Sequence, residues 1–458
     1  MTQAEAQGAK RAKLRRCETV AGLFLWNMYV KITPGVEKMD NSFKLGGIRL
    51  GAATAATQIE GCDRNNSWYE WHKLGWVKDD PNTATQHWKK WKEDTRLMAE
   101  IGLQCSRMGL EWSRIEPKRG VFSEKAIARY RAELTMLRDL GIKPMVTLWH
   151  FSNPIWFEDR GAFLWRGAEK AFLEYVERVV ADLGDLVESW ITLNEPNVYA
   201  VNGYNGGNWP PGDSSIFKTL KVMNALVPCH IGAYNIIHGK FPDARVGFAL
   251  HARVFDPKDP KNLKHAASAR LSERLFQTAL TEAMYTGKDA FPIRGGGKPG
   301  RYYDFHAVNY YTRSTCTGLR DGVRENTPKN DLGWEIYPEG ICRVVRGLTD
   351  KYDAPVYITE NGTCDNTDSF RCRYIYDHLK ALSESGLPVE RYYHWCFCDN
   401  FEWLEGFSAR FGLIHTDYAS QKRTIKKSGR FYSEIIQNGG VTQEMFDEYV
   451  AGEQYHVR

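Results

Sequence analysis

The chain has 458 residues, 43% of them hydrophobic, so it can bury a large core. Its 61 basic and 56 acidic residues leave a net charge of +5, too small an excess to mark a nucleic-acid or membrane-surface binder. No apolar stretch is long enough to span a bilayer, and the ten cysteines show neither a C-x-x-C pair nor zinc-type His/Cys spacing.

Residues 1–44 read as an N-terminal extension, disordered or peripheral. Lys10 to Arg16 is basic and Gly22 to Val30 is short and apolar, which imitates a signal peptide. Asn27 interrupts the apolar run, however, and no small-x-small cleavage site follows; Met39 offers a second plausible start. Scattered free thiols fit a reducing compartment, so the expected location is cytoplasmic. Cys396 and Cys398 should share one face of a strand as small hydrophobes.

From residue 45 to 440, apolar strand-like runs alternate with amphipathic helical stretches. Eight strand candidates stand at 49–54, 103–109, 143–150, 187–195, 245–252, 304–311, 355–362 and 389–397. Between them, Trp88, Trp91, Met98 and Ile101 share a helical face that ends at Gly102. Ile127, Tyr130, Leu134 and Leu137 do the same before Gly141, and Phe172, Val176, Val179 and Leu183 before Gly184. Helix, glycine stop, short apolar strand is the cadence of a βα repeat. Eight repeats predict an α/β fold, a single-domain (β/α)8 TIM barrel with its active site at the C-terminal ends of the strands. No linker or second-domain boundary is visible, and residues 441–458 read as a C-terminal tail.

The strand ends carry the chemistry. Arg107, His150, Asn194 with Glu195, Asn309 with Tyr311, Glu360 and Trp395 all fall at that phase, and Gln58 lies just past the first strand. Two of these segments, Trp190 to Pro196 and Val356 to Gly362, each deliver a glutamate to a loop. Either glutamate alone could be a solvated loop acid. Together, on two strands of one barrel, they are the minimum equipment for cleaving a glycoside. Arg107 is a charge inside an apolar strand and needs a partner; Glu360 is a suitable one, since a nearby cation keeps a carboxylate ionised. His150 reads as a hydrogen-bond partner for a hydroxyl. Glu402 beside Trp403 suits bidentate hydroxyl binding next to a stacking ring. The 15 tryptophans divide between core packing and platforms for sugar rings. Gly295-Gly296-Gly297-Lys298 lacks the Ser or Thr and the helix of a phosphate loop and reads as a flexible loop. Asn361-Gly362-Thr363 is formally a glycosylation sequon, discounted because it abuts Glu360.

These residues resemble glycoside hydrolase family 1, the β-glucosidase and β-galactosidase family, over about residues 45 to 435. The motifs are Gly51 to Thr54 through Gln58 to Gly61, Trp112 to Ile115, Thr192 to Pro196, Asn309 to Tyr311, Ile358 to Gly362, and Asp399 to Trp403 with Arg410 to Leu413. The resemblance implies a retaining double displacement without metal or cofactor, acting on a small-molecule β-glycoside or oligosaccharide. Glu360 would be the nucleophile and Glu195 the acid and base, with a raised pKa at Glu195 and an ionised Glu360. Tyr311 and Arg107 would hold Glu360, with Asn309 in support. Asn194 would bind the sugar 2-OH, Gln58, His150, Glu402 and Trp403 its other hydroxyls, and Trp395 would form the stacking floor. Glucose is the expected glycone, with galactose and fucose as near alternatives. Phe151 stands where the family often has Trp, and the Gly-rich part of the stretch between 250 and 304 departs from the usual form. A non-catalytic sugar-binding relative, a thioglucosidase-like relative, a 6-phospho-β-glycosidase and an unrelated metabolic barrel enzyme are the competing readings. Retention of both glutamates, the acids Glu402 and Glu405 and the lack of a cofactor motif weigh against them.

Overall fold

The computed structural model describes residues 40–318 and 321–457. The signal-peptide-like segment and Cys17 lie outside the described residues, and the extension is described only from Asp40 onward. The compact unit that holds the barrel begins at Phe43.

Eight strands form the centre: β1 (Arg49–Ala53), β2 (Cys105–Gly109), β3 (Lys143–Thr147), β4 (Ser189–Asn194), β5 (Arg245–Pro257), β6 (His306–Cys316), β7 (Val356–Asn361) and β8 (Val389–Trp395). Each pairs in parallel with the next, and β8 pairs with β1 from Arg391↔Arg49 to Trp395↔Ala53, which closes the barrel. The expected (β/α)8 barrel is therefore the observed fold, and all eight expected strands are present. Strands covered on both faces need no polar alternation. Ser-Trp-Ile-Thr-Leu-Asn of β4 and Val-Tyr-Ile-Thr-Glu-Asn of β7 are accordingly buried at every position.

β5 and β6 run past the rim. Their pairing continues from Val254↔Arg313 to Pro257↔Cys316, and Asp321–Gly322 adds an antiparallel third strand at Thr315–Cys316, so a ribbon stands above the barrel mouth. Its upper part is polar and clamped by charge: Arg313 and Arg343 both donate to Asp256, at 3.2 and 2.8 Å.

The outer helices include α1 (His87–Glu100), α2 (Glu124–Asp139) and α3 (Ala168–Leu183). α2 and α3 bury the expected faces, through Ile127, Tyr130, Leu134 and Leu137, and through Phe172, Val176, Val179 and Leu183. α1 differs. Its buried side chains are His87, Asp94, Thr95 and Met98, while Trp88 and Trp91 are only half-buried. The reason is electrostatic. His87 bridges Asp94 at 2.8 Å and Glu133 at 2.7 Å, and these carboxylates, prevailing over burial, raise its pKa to about 9. The two tryptophans instead lie under the guanidinium of Arg129, with Arg114 4.1 Å over Trp88.

After the barrel, α4 (Lys427–Asn438) packs its face of Phe431, Tyr432 and Ile435 inward. The strand Gly440–Val441 pairs antiparallel with Phe43–Lys44, and Glu453 is buried against Lys427 at 2.8 Å. The Gly-rich segment at 295–297 is packed rather than loose: a Cβ on Gly295 would lie 2.0 Å from the Gly287 carbonyl, and one on Gly296 2.5 Å from the Pro228 nitrogen. Cys396 and Cys398 are buried but lie beyond the end of β8, not on a strand. No disulfide joins the described cysteines, and no described helix is long and apolar enough to cross a membrane.

Candidate active site

The C-terminal ends of the strands converge on a cavity of about 280 Å³. Glu195 and Glu360 line it together with His150, Tyr311, Trp395, Glu402 and Trp403. Gln58, Arg107, Asn194 and Asn309 lie buried around these groups. All the residues singled out in the sequence are thus brought to one end of the barrel.

Glu195 leaves β4 in a left-handed backbone conformation, with φ +40° and ψ +58°. A residue with a Cβ is disfavoured there by about 1–2 kcal/mol. The strain is held by its own N–H, which donates to the Ala249 carbonyl at 2.8 Å, and by Pro196, which starts the helix Pro196–Val201. Glu360 sits inside β7 and both of its oxygens are held. Arg107 Nη1 donates to Oε1 at 2.5 Å and Tyr311 Oη to Oε2 at 2.6 Å. Burial and the neighbouring Glu360 charge push the Tyr311 phenol well above its ordinary value, so it stays a donor. Fully buried Arg107 is itself anchored by Thr147, at 3.0 Å from Nε, and by Asn194 Oδ1, at 2.6 Å from Nη2.

Asn309 ties Glu195 to Asn194. Its Nδ2 donates to Glu195 Oε1 at 2.8 Å and to Asn194 Oδ1 at 3.1 Å. The Thr359 hydroxyl donates to Asn309 Oδ1 at 2.6 Å, which fixes the amide's direction. Asn194 Oδ1 is therefore occupied, and Asn194 Nδ2 faces His150 Nε2 at 2.9 Å. That bond makes Nε2 the acceptor and leaves the ring proton on Nδ1, which is buried without a protein partner. Burial, aided by Arg107, holds His150 well below the usual histidine range. The ring is a neutral donor suited to a hydroxyl.

Opposite the carboxyl pair, Gln58 Nε2 donates to the Phe401 carbonyl at 2.9 Å and to Glu402 Oε2 at 3.2 Å, while its Oε1 has no protein partner. Burial lifts Glu402 to about 8, against the hydrogen bond from Trp395. Near neutrality Glu402 can therefore both donate to and accept from a diol. Trp403 is wedged among Trp68, Trp209 and Phe151, with ring centroids 4.6, 5.7 and 5.4 Å away. Of the tryptophans, Trp68, Trp112, Trp149 and Trp190 are core, whereas Trp209, Trp334, Trp395 and Trp403 line the cavity.

Two details of the loops follow from packing. A Cβ on Gly362 would lie 1.8 Å from the Trp395 carbonyl, so only glycine lets β7 pass the end of β8. Asn361 is buried, with its Nδ2 donating to the Tyr310 carbonyl at 2.7 Å and to Tyr374 Oη at 2.9 Å, so the formal sequon is closed to modification.

The sequence reading missed His251 and Arg253 on β5. His251 Nδ1 lies 3.0 Å from Glu195 Oε1, and Arg253 Nε donates to His251 Nε2 at 2.9 Å. These contacts change the electrostatic balance. Burial pushes both glutamates up. At Glu195 it is outweighed by His251 and then by Asn309 and Arg107, which hold that carboxyl below its ordinary value. At Glu360, burial and the Glu195 charge prevail over Arg107 and Tyr311 and lift it to about 7. These shifts belong to the pair and do not say which acid carries its proton; both Glu360 oxygens already accept from donors, whereas Glu195 Oε2 makes no hydrogen bond among the described residues and is the open seat. One proton is shared by two strongly interacting acids, and its loss near 7 belongs to the pair. Among the described residues no group of three or more His, Cys, Asp and Glu side chains is arranged to hold a metal ion.

A closed parallel barrel with a buried carboxyl pair and hydrogen-bonding side chains at its mouth defines the class, a barrel glycoside hydrolase. The family model described as glycosyl hydrolase family 1 matches residues 41–294 and 301–441, and the chain belongs to that family. The first matched stretch ends, and the second begins, around the departing Gly-rich segment. Beta-glucosidase A of Thermotoga maritima is 30% identical over 437 residues, covering 86% of this chain and 98% of that protein. Beta-glucosidase A of Acetivibrio thermocellus is 31% identical over 435 residues, covering 85% and 97%. A solved beta-glycosidase from Pyrococcus horikoshii superposes with a TM-score of 0.83 at 33% identity, over 90% of this chain and 98% of that one. The Thermotoga maritima beta-glucosidase in complex with glucoimidazole gives 0.81 at 30% identity, over 88% and 100%.

Proposed function

We propose that this family 1 enzyme hydrolyses terminal non-reducing β-D-glucosides by a retaining double displacement. The observation that carries the reading is the asymmetry of the carboxyl pair. Glu360 is gripped through both oxygens by groups that stay protonated, which keeps it in place as it bonds to carbon. Glu195 has Oε1 occupied, while Oε2 makes no hydrogen bond among the described residues.

In the first step a Glu360 oxygen attacks the anomeric carbon, the bond to the leaving oxygen breaks, and Glu195 gives that oxygen its proton. In the second, Glu195 takes a proton from water, whose oxygen attacks the same carbon and releases Glu360. Asn194 offers its remaining amide hydrogen to the 2-OH, where the bond strengthens in the transition state. His150, Gln58, Glu402 and Trp403 take the other hydroxyls, and Trp395 supports the ring. The relatives named beta-glucosidases stand at 30% and 31% identity, and those named beta-galactosidases, from Pyrococcus woesei and Saccharolobus solfataricus, at 29% and 28%. Glucose is taken as the preferred sugar because more of the similar relatives carry the name beta-glucosidase than beta-galactosidase, with galactosides and fucosides as secondary substrates. A 6-phosphorylated sugar is disfavoured: no lysine is among the described lining residues, and the one lining arginine, Arg253, is engaged with His251 behind Glu195.

Nitrophenol release from p-nitrophenyl β-D-glucoside, with EDTA present and the Glu360→Ala protein as control, tests the reading. Release that vanishes in the control supports it. Release only from 6-phosphorylated glycosides, or none from the glucoside, galactoside and fucoside, overturns it.

The shared proton gives a pH prediction. The first step needs Glu360 ionised and Glu195 protonated, a state with one proton on the pair. That proton is lost as pH rises through about 7. kcat/KM should fall about tenfold per pH unit above that point. A profile measured across the neutral range and well to either side of it, with no basic limb, would contradict it.

A further inference from the structure

We propose that His251 is a positioning residue for Glu195: it fixes which oxygen of that carboxyl delivers the proton, and Arg253 fixes the tautomer in which it does so. The inference rests on Glu195 being the proton donor, as proposed above.

The arrangement is built from both sides of the ring. Arg253 Nε can only donate, so His251 Nε2, 2.9 Å away, is an acceptor. The neutral ring then carries its hydrogen on Nδ1, which points at Glu195 Oε1 from 3.0 Å. Tyr311 stacks on the His251 ring at 5.7 Å and 18°, and Phe276 meets it edge-on at 6.0 Å and 89°. The Gln277 side chain holds the Arg253 backbone on both sides, accepting from its N–H at 2.9 Å and donating to its C=O at 3.1 Å. Neither His251 nor Arg253 is free to swing.

With Asn309 also donating to Oε1, that oxygen takes two donors and is a poor seat for a proton. Oε2 is left to carry it. Without His251 only Asn309 holds Oε1, and the orientation gained from two fixed donors is weakened. The charged and titratable groups facing Glu195 are His251 and Arg253 from β5, Tyr311 from β6, Arg107 from β2, Glu360 from β7 and Glu402 beyond β8. Of these, His251 and Arg107 help to hold it ionised, so deletion of His251 raises the proton affinity of the pair.

The test compares His251→Ala, His251→Gln and Glu195→Ala on two glucosides, one with an alkyl leaving group and one with 2,4-dinitrophenol. His251→Ala should lower kcat/KM about 30-fold for the alkyl glucoside and less than about threefold for the dinitrophenyl glucoside, a fraction of the full range of acid catalysis. Its basic limb should move up by about one pH unit, the scale of one lost hydrogen bond to a charged group. His251→Gln, which keeps an N–H donor, should recover most of the loss. Equal losses on both substrates with an unmoved limb would overturn the proposal. If Glu195→Ala discriminates between the leaving groups and His251→Ala does not, only the positioning role fails. If Glu195→Ala shows no discrimination, the proton-donor assignment fails and takes this inference with it. Should His251→Ala not fold, Arg253→Met is read in the same way, with the same leaving-group preference at about a third of the effect; a variant with wild-type behaviour on both glucosides overturns the relay.

Discussion

Glu360→Ala should lower kcat/KM on p-nitrophenyl β-D-glucoside by about 10⁴-fold or more, the usual scale for removing a nucleophile. Sodium azide should then restore part of the activity. The alanine leaves a space lined by Arg107 and Tyr311, the two donors that hold the carboxylate at 2.5 and 2.6 Å. A small anion can occupy it and attack the anomeric carbon from the side Glu360 used. A single displacement inverts the centre, so the product is the α-glucosyl azide, identified by proton NMR. A β-azide, or no rescue at any azide concentration, would remove Glu360 from the nucleophile's role. The prediction separates chemistry from scaffolding, because a variant that has merely lost its fold cannot be rescued by azide.

Glu195→Ala should behave differently. Its effect should depend on the leaving group, reaching about 10³–10⁴-fold in kcat/KM for alkyl glucosides and staying within about tenfold for 2,4-dinitrophenyl glucoside. A good leaving group departs without a proton, so the glycosyl-enzyme still forms. Its breakdown then lacks a base, and a burst of dinitrophenol should precede a slow steady state. Azide should accelerate that breakdown and give the β-azide, because two inversions retain configuration. Identical, unrescued losses in both variants would argue against separate roles for the two acids.

The barrel was legible because its strands are covered on both sides and so appear as short continuous apolar runs between helices. The limit of that signal shows in β5 and β6. Beyond Ala252 and Tyr311 they continue with Arg253, Asp256 and Arg313, whose pairing is set by backbone bonds and ion pairs instead of apolar burial. The face of α1 was legible only in part for a related reason: Met98 and Ile101 are buried as expected, but His87 is buried because Asp94 and Glu133 bond both of its nitrogens, and periodicity of apolar residues carries no trace of that.

The candidate site was legible as a phase. Polar groups recur where strands end, and Glu195, Glu360, Arg107, His150 and Asn309 were found in that way. His251 sits at the same phase of the fifth strand, so the rule that found the others would have found it. The balance of charge between Glu195 and Glu360 was not legible, because it depends on two donors from β5 and β6 and on the charge of Arg107 from β2, which only the closed barrel brings near Glu195.

The ribbon above the mouth has a mechanical consequence. It continues the strands that carry His251 and Tyr311, one behind each member of the carboxyl pair, and it is locked by extended pairing and by the grip of Arg313 and Arg343 on Asp256. It behaves as a cantilevered beam rooted in the barrel wall, so tilting it displaces the supports of both acids together. The amides of residues 254–256 should accordingly exchange with deuterium as slowly as those of the barrel strands beneath them, and thermal loss of activity should coincide with collapse of the wall.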